Sequence, residues 1–243
     1  MRYIKKRKGQ PKCISDLVHA QISARKVNPE GVFPVDYSSF PSRALREQLI
    51  REQRGLCAYT GSGIDDARLA ERQPRHGNPP GTDYWFIPHI EHLKPQSQCR
   101  TELEQQGKVP GIDLGEDMDY HNMIAALKVD GSGHEQFGAI DDRKDLLPVK
   151  PTDVDCEARF RFDGIGHIHG VDADAATAIN MLKLDHTTLE NWRRGAIDAW
   201  IPEPAGLSSK ELLRLSKLLD KPLKGRLVEF CFVIKSYVLS LLP

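Results

Sequence analysis

The residues with the clearest chemical potential lie in WFIPHIEHLKP, at 85–95, where Glu91 and His92 are neighbours. An acidic residue beside a histidine, on a short strand that turns at a proline, can place a carboxylate on a metal ion and an imidazole on a water molecule. His89 lies two positions before Glu91, so on a strand it shares a face with that carboxylate. It is either a supporting group for Glu91 or a structural histidine.

The elements before this stretch are predicted from apolar spacing and from helix-stop residues. Apolar residues at helical intervals predict helices over 14–24 and 42–54. The second helix is expected to begin at Ser42, a good N-cap, and to stop at Gly55. The apolar segment LCAYT at 56–60 then predicts a short strand or knuckle.

Three further segments around the 85–95 strand carry weaker patterns. We expect a helical turn over 65–71, the start of a buried helix over 121–129 and another helical turn over 141–147. The 121–129 segment, HNMIAALKV, is apolar almost throughout.

Beyond residue 150 the pattern changes to a hairpin followed by helices. Runs at 158–162 and 165–169 flank Asp163-Gly164, a two-residue turn signal. His167 and His169 alternate on one face of this hairpin without a partner spaced for a metal site. Four helices are then predicted, three of them with the N-caps Asp172, Asp185 and Ser208 and the fourth over 224–242.

Charge is balanced overall but unevenly distributed. The formal net charge is zero, which argues against a protein that coats nucleic acid through its overall charge. The first twelve residues nevertheless hold six cations and no acid, namely Arg2, Lys5, Lys6, Arg7, Lys8 and Lys12. This segment is either a basic arm that contacts phosphates or an ordinary solvated terminus.

Cysteine usage and hydropathy indicate a cytoplasmic protein without a membrane span. The five cysteines are an odd number with no paired spacing, so a disulfide scaffold is not expected. The longest apolar run, 230–242, is interrupted by Lys235 and is shorter than the roughly 20 residues that a membrane span needs.

Three motifs resemble those of the HNH endonucleases, which have a ββα-metal fold. They are QRGLCAY at 53–59, IEHLKP at 90–95 and YHNM at 120–123. The continuation at 147–166 and again at 182–193 is similar to the PtuB branch of that superfamily. PtuB proteins are the HNH effectors of Septu and retron-associated anti-phage systems, and their partner is the ATPase PtuA.

The resemblance assigns roles to three residues. It implies that His92 activates water and that Glu91 takes the position of the acidic metal ligand. Asn122 matches the central asparagine, whose amide would hold the loop and orient His92 in one tautomer; alternatively, it caps the helix that it precedes. Oxygen ligands favour Mg²⁺ or Mn²⁺.

The zinc knuckle of the family is where this sequence departs from the pattern. A common HNH ending, Cys-x-x-Cys-Asn-x-x-Lys, aligned on Lys144 places Phe137 and Ile140 at the two cysteine positions. Cys57 keeps a family cysteine, but Thr60 stands at its partner position. We therefore expect no structural zinc, and packing of Phe137 and Ile140 against LCAYT in its place.

The same alignment places Asp141 at the second metal-ligand position, with Asp142 and His134 as alternatives. Side chains that could contact nucleic-acid phosphates are those near the site and those of the basic segment, namely Lys94, Arg143, Lys144, Lys5, Lys6, Arg7 and Lys8.

The expected fold class is α+β and mainly helical. It comprises a basic N-terminal arm with a short helix (1–41), a ββα-metal HNH core lacking the zinc knuckle (42–150), and a β-hairpin with a C-terminal helical region (151–243). We expect the last segment to pack on the core and to face a partner.

The leading functional hypothesis is a metal-dependent endonuclease that hydrolyses phosphodiester bonds of nucleic acid as an anti-phage effector. DNA is the preferred substrate and tRNA the alternative. The resemblance implies a PtuA-like ATPase as partner and, for retron-linked members, a reverse transcriptase with its RNA–DNA product. The competing hypothesis is a catalytically inert subunit that docks on the ATPase and regulates it.

Overall fold

A computed structural model describes residues 1–40, 42–73, 83–141 and 143–243. These residues form eight α-helices and two antiparallel two-stranded sheets, which confirms the α+β prediction. The helices are α1 Lys12–Val27, α2 Ser42–Glu52, α3 Asp66–Arg72, α4 Gln96–Gln105, α5 Ala173–Leu182, α6 Thr187–Trp200, α7 Ser209–Leu219 and α8 Cys231–Ser240. The strands are β1 Asp83–His92, β2 Met123–Ser132, β3 Phe160–Phe162 and β4 Ile168–Gly170.

The sheet of β1 and β2 carries the Glu91–His92 pair. Glu91 lies opposite Ile124 and His92 opposite Met123, so the pair sits where β2 begins. The prediction of a buried helix over 121–129 is wrong. Nearly every residue of that apolar run is buried, so the run has no polar face that would distinguish a helix from a strand, and pairing with β1 decides the outcome.

Both edges of this sheet are covered by glutamine side chains. On the β2 edge, Gln53 accepts from the Ala125 amide at 2.7 Å and donates to the Ala125 carbonyl at 2.7 Å. On the β1 edge, Gln73 makes the same pair of bonds with Phe86, at 3.1 and 2.6 Å. Each glutamine thus replaces one rung of a missing neighbouring strand.

No α-helix follows β2 within the described part of 133–155. The Ala139 amide donates to the Leu127 carbonyl at 2.9 Å, which holds the chain against the edge of β2. The helical turn predicted over 141–147 is therefore wrong for its described residues. An antiparallel strand pair is present, whereas a helix directly after it is not found among the described residues, so the ββα core stays a prediction.

The basic N-terminal segment is packed against the protein instead of extending from it. Met1 and Ile4 are buried. The Arg2 amide donates to the Ala58 carbonyl at 3.0 Å, and the Ile4 amide donates to the Pro151 carbonyl at 2.7 Å. The segment ends at α1, which is longer than the predicted 14–24 helix.

The predicted hairpin after residue 150 is present as β3 and β4. Its loop spans 163–167, so the two-residue turn prediction is wrong. The Asp163 carboxylate closes this longer loop by accepting from the Ile165 and His167 amides at 3.1 and 2.9 Å.

Of the N-caps predicted for α5, α6 and α7, two are confirmed. Asp172 caps α5, and Ser208 forms a capping box with Glu211 at α7, as predicted. The cap of α6 is His186 and not Asp185, because the His186 ring accepts from the Thr188 amide.

Helix α8 is a core element. It is shorter than the predicted 224–242 helix, and Phe232, Val233, Ile234 and Val238 are buried in it. Buried side chains from all three predicted segments belong to one connected core. Within the described ranges, every helix lacks the length or the apolar character required to cross a membrane.

Candidate active site

Glu91 and His92 line a cavity of about 360 Å³ at the end of β1. The wall opposite the strand is formed by the segment that follows β2, which brings residues from two distant parts of the sequence together. The lining residues are His89, Glu91, His92, Pro95, Gln96, Ser97, Ile140, Asp141 and Arg143. Both carboxylates of the sequence prediction, Glu91 and Asp141, therefore line the same space as His92.

His92 is held in a single tautomer by a backbone carbonyl. Its Nε2 lies 2.9 Å from the carbonyl oxygen of Asp117. Because a carbonyl only accepts hydrogen bonds, Nε2 must carry the proton, and Nδ1 keeps its lone pair. The Gln96 side-chain amide lies 3.3 Å from Nδ1, at the cavity.

The surroundings of His92 favour the neutral imidazole. The ring is buried, and the Tyr37 ring packs edge-on against it with centroids 4.6 Å apart. Burial lowers the pKa of His92, and this effect outweighs the opposing hydrogen bond with Asp117. His92 is thus an uncharged base at neutral pH.

Asn122 fastens the loop that follows His92. Its Oδ1 accepts from the Lys94 amide at 2.7 Å, and its Nδ2 donates to the Lys94 and Glu116 carbonyls, both at 3.2 Å. Asn122 does not cap an α-helix, because strand β2 follows it. Asn122 therefore holds the loop, whereas the tautomer of His92 is fixed by Asp117 and not, as expected, by Asn122.

Glu91 is buried against Arg143. The Arg143 guanidinium donates to Glu91 Oε1 at 3.3 and 3.4 Å and also to the carbonyls of His92 and Leu93. Burial raises the pKa of Glu91 to about 7, although Arg143 acts in the opposite direction. The other carboxylate oxygen, Oε2, lies 4.0 Å from His89 Nε2.

Asp141 also has its own cation. Lys128 Nζ lies 2.8 Å from Oδ1, and the Gln136 amide donates to Oδ2 at 2.6 Å. Burial acts to raise the pKa of Asp141, but the bonds from Lys128 and Gln136 prevail and the pKa lies below its ordinary value. Asp141 is therefore ionised at neutral pH.

The donor set fits Mg²⁺ or Mn²⁺. Within the described ranges no group of three or more His, Cys, Asp or Glu residues is arranged to hold a metal ion. Mg²⁺ is commonly bound by only one or two carboxylates, with waters and substrate phosphates completing its shell. Glu91 and Asp141 supply two carboxylates to one cavity, and the bonds from Arg143 engage only Oε1 of Glu91.

His134 and Asp142 are the two alternatives to Asp141 as the second metal ligand. The His134 ring lies 4.4 Å from that of Tyr84 and 6.0 Å from that of Phe86. Glu91 is five residues beyond Phe86 on β1, roughly 16 Å along an extended strand. His134 is therefore too far away to share a metal ion with Glu91. Asp142 lies outside the described residues.

The knuckle at 56–63 is closed by hydrogen bonds. Cys57 Sγ accepts from the Thr60 amide at 3.4 Å and from the Leu127 amide at 3.1 Å. Phe137 is fully buried in an aromatic cluster that includes Phe86 and Trp192. Ile140, which we expected to pack on the knuckle, lines the candidate site.

Near the site, two of the three cations predicted to contact phosphates form ion pairs within the chain. Lys94 pairs with Glu102 and Glu116. The Arg143 side chain is buried against Glu91, so both cations are paired within the chain, and their predicted contact with phosphate stays a prediction. Lys144 is exposed, and its carbonyl accepts from Gln98.

The cations of the N-terminal segment divide into two groups. Lys6 is partly buried, pairs with Glu52 and lies 3.9 Å above the Tyr120 ring. Burial lowers the pKa of Lys6 to about 8. Lys6 is thus engaged within the chain, whereas Lys5, Arg7 and Lys8 are exposed, and their predicted contacts with nucleic acid stay predictions.

Sequence reasoning missed Asp117, Gln96 and Lys128. The role of Asp117 rests on its backbone carbonyl, which residue type does not reveal. Gln96 directly follows the IEHLKP motif, and that proximity was a usable signal. Lys128 reaches Asp141 only because the chain returns along β2.

Comparison with known proteins adds no family assignment. No protein-family model matches this chain, and no curated protein matches it.

Proposed function

We propose that this protein is a metal-dependent endonuclease of the HNH type that hydrolyses phosphodiester bonds, with DNA as the preferred substrate and tRNA as the alternative. One observation carries the proposal. The carbonyl of Asp117 fixes the proton of His92 on Nε2, so Nδ1 is left as a base in a cavity that also contains the Glu91 and Asp141 carboxylates.

The chain's own residues account for the handling of the proton. A water molecule near Nδ1 of His92 would lose its proton to that nitrogen as it attacks the phosphorus. The resulting imidazolium is stabilised by the Asp117 carbonyl at 2.9 Å. Asn122 keeps the loop after His92 in place, so the base holds its position during the reaction.

The carboxylates of Glu91 and Asp141 are the residues that would hold Mg²⁺ or Mn²⁺. When bound, the cation supplies Lewis-acid polarisation of the scissile phosphate and stabilises the leaving oxygen. Ionisation of both carboxylates favours its binding. Asp141 is ionised at neutral pH, and Glu91 is half-ionised near pH 7.

As the biological setting we propose anti-phage defence in complex with a PtuA-type ATPase, with retron reverse transcriptase and its RNA–DNA product as further partners in retron-linked systems. The motifs at 147–166 and 182–193 support this setting. The scarcity of free cations near the site also favours a partner that provides part of the grip on nucleic acid.

The test is cleavage of plasmid DNA and of total tRNA by the purified protein, alone and with the ATPase, in the presence of Mg²⁺. His92→Ala is expected to lower the cleavage rate about 10²- to 10⁴-fold, since it removes the general base. His121→Ala is the matched control, because His121 is exposed and adjacent to Asn122. The control should cleave at the wild-type rate.

A second function is favoured by the ion pairs. Because Arg143 pairs with Glu91 and Lys128 with Asp141, both carboxylates are already neutralised within the chain. An inert subunit that docks on the ATPase and regulates it would keep such pairs. Unchanged phage protection by His92→Ala, with the ATPase still co-purifying, would establish that function and overturn the nuclease proposal.

A further inference from the structure

A second cavity, larger than the candidate site, lies between the N-terminal segment and α2. Its volume is about 660 Å³. It shares no lining residue with the cavity at His92. Five cations line it, namely Arg2, Lys5, Arg7, Arg51 and Arg54, against the single acid Glu52. We refer to it as the basic cavity.

The charges of the basic cavity are unbalanced. Arg2 pairs with Glu157 and lies 3.7 Å from Asp220. The remaining four cations, Lys5, Arg7, Arg51 and Arg54, are exposed and have no acidic partner among the residues described.

Glu52 cannot balance these cations. Its carboxylate accepts from Lys6, from the Arg7 amide and from the Tyr120 hydroxyl. Four like charges around one concavity repel each other, and a bound anion relieves that repulsion. The unbalanced set therefore favours a ligand with several negative charges.

The lining and the volume of the cavity indicate which class of ligand it would bind. Its lining mixes polar and apolar residues, and the apolar ones include Leu56, Ala58 and Leu227. A volume of this size is typical of small-molecule sites. Guanidinium groups match phosphate oxygens with paired hydrogen bonds, and three of the four cations without an acidic partner among the described residues are arginines. A duplex backbone would instead require cations spread along an open surface.

We propose that the basic cavity binds a ligand of nucleotide size that carries two or more phosphate groups. Lys5 and Arg7 belong to the N-terminal segment, Arg51 lies on α2 and Arg54 lies just beyond that helix. The apolar residues of the lining, Leu227 among them, would contact the uncharged part of the ligand. The phosphates come either from a free nucleoside polyphosphate or from the phosphorylated 5′ end of a nucleic-acid strand, since both present the same chemistry.

Calorimetric titration of the full chain tests this site. The probes are ATP, inorganic triphosphate, and one oligonucleotide prepared with a 5′-triphosphate or a 5′-hydroxyl. The variant is Lys5→Gln with Arg51→Gln, because both side chains are exposed and unpaired among the described residues. Arg43→Gln is the matched control: Arg43 lies on α2 but outside the cavity.

The wild type and the control are expected to bind at least one phosphorylated probe, with the double variant at least about tenfold weaker. Tight binding of ATP identifies a free nucleotide, whereas binding of the 5′-triphosphorylated strand alone identifies a strand end. The proposal is overturned if no phosphorylated probe binds the wild type, if the variant equals the control, or if ATP and triphosphate fail to bind while the 5′-hydroxyl strand binds as tightly as its phosphorylated form. His92→Ala leaves this titration unchanged, so failure here and failure of the nuclease proposal are separable.

Discussion

The two cavities of this protein treat charge in opposite ways. At the candidate active site, of about 360 Å³, Glu91 is paired with Arg143 and Asp141 with Lys128. In the basic cavity, of about 660 Å³, Arg51 has no acidic partner within the described ranges and is open to solvent. Paired charges hold a geometry without a ligand, whereas unpaired, solvated charges remain available to one. The candidate active site therefore holds its charged side chains in place, whereas the basic cavity leaves cations exposed to a ligand.

The two cavities also differ in how strongly their charged side chains affect the stability of the fold. An ionised carboxylate is tolerated in a buried position only with a partner, because desolvation disfavours the charged form. Exposed arginines lose little by staying unpaired, since water solvates them. Substitutions at the two cavities should therefore have very different effects on stability.

The largest effect is expected for Arg143→Gln. This change leaves Glu91 buried without its cation, and it should lower the free energy of unfolding by about 3–5 kcal/mol at pH 8. Urea denaturation monitored by circular dichroism measures the difference. The rescue control is the double variant with Glu91→Gln, which removes the buried carboxylate together with its cation and should recover part of the loss.

The pH dependence of that loss has a defined sign. The folded-state pKa of Glu91 is raised to about 7 by burial, so the wild type loses stability as the pH rises from about 5 through 7. Below that range Glu91 is protonated and needs no cation. The destabilisation by Arg143→Gln should therefore shrink at about pH 5, and an equal loss at both pH values would show that Glu91 is not the group responsible.

An intermediate effect is expected on cation binding at the candidate site. Since Glu91 has a pKa of about 7, a cation must displace its proton at lower pH. The affinity for Mn²⁺ should fall about tenfold for each pH unit below 7, which corresponds to about 1.4 kcal/mol. Electron paramagnetic resonance of free Mn²⁺ measures it. A pH-independent affinity in the wild type would exclude Glu91 as a ligand.

The smallest effect is expected for Arg51→Gln in the basic cavity. Arg51 is exposed and unpaired among the residues described, so its loss should change the free energy of unfolding by less than about 0.5 kcal/mol. Thermal denaturation checks this value. A large destabilisation would mean that Arg51 has a structural partner, and the contrast between the two cavities would then fail.

The sequence predicted those parts of the site that depend on residue type and local spacing. Glu91 and His92 on one strand followed from a short motif, and Asp141 was placed in the same cavity through an alignment with the HNH pattern. Strand β2 was missed because a run that is buried on both faces shows no alternation of apolar and polar residues. The Arg143–Glu91 pair was missed because no spacing rule connects residues from two segments that meet only after folding.

The glutamines on the two edges of the β1–β2 sheet restrict how another protein can bind. A partner that adds a strand needs an open row of backbone amides and carbonyls. Gln53 occupies that row at Ala125 and Gln73 occupies it at Phe86. Recognition by strand addition is therefore blocked at both positions, and the Ala125 amide should be among the slowest to exchange its hydrogen with solvent.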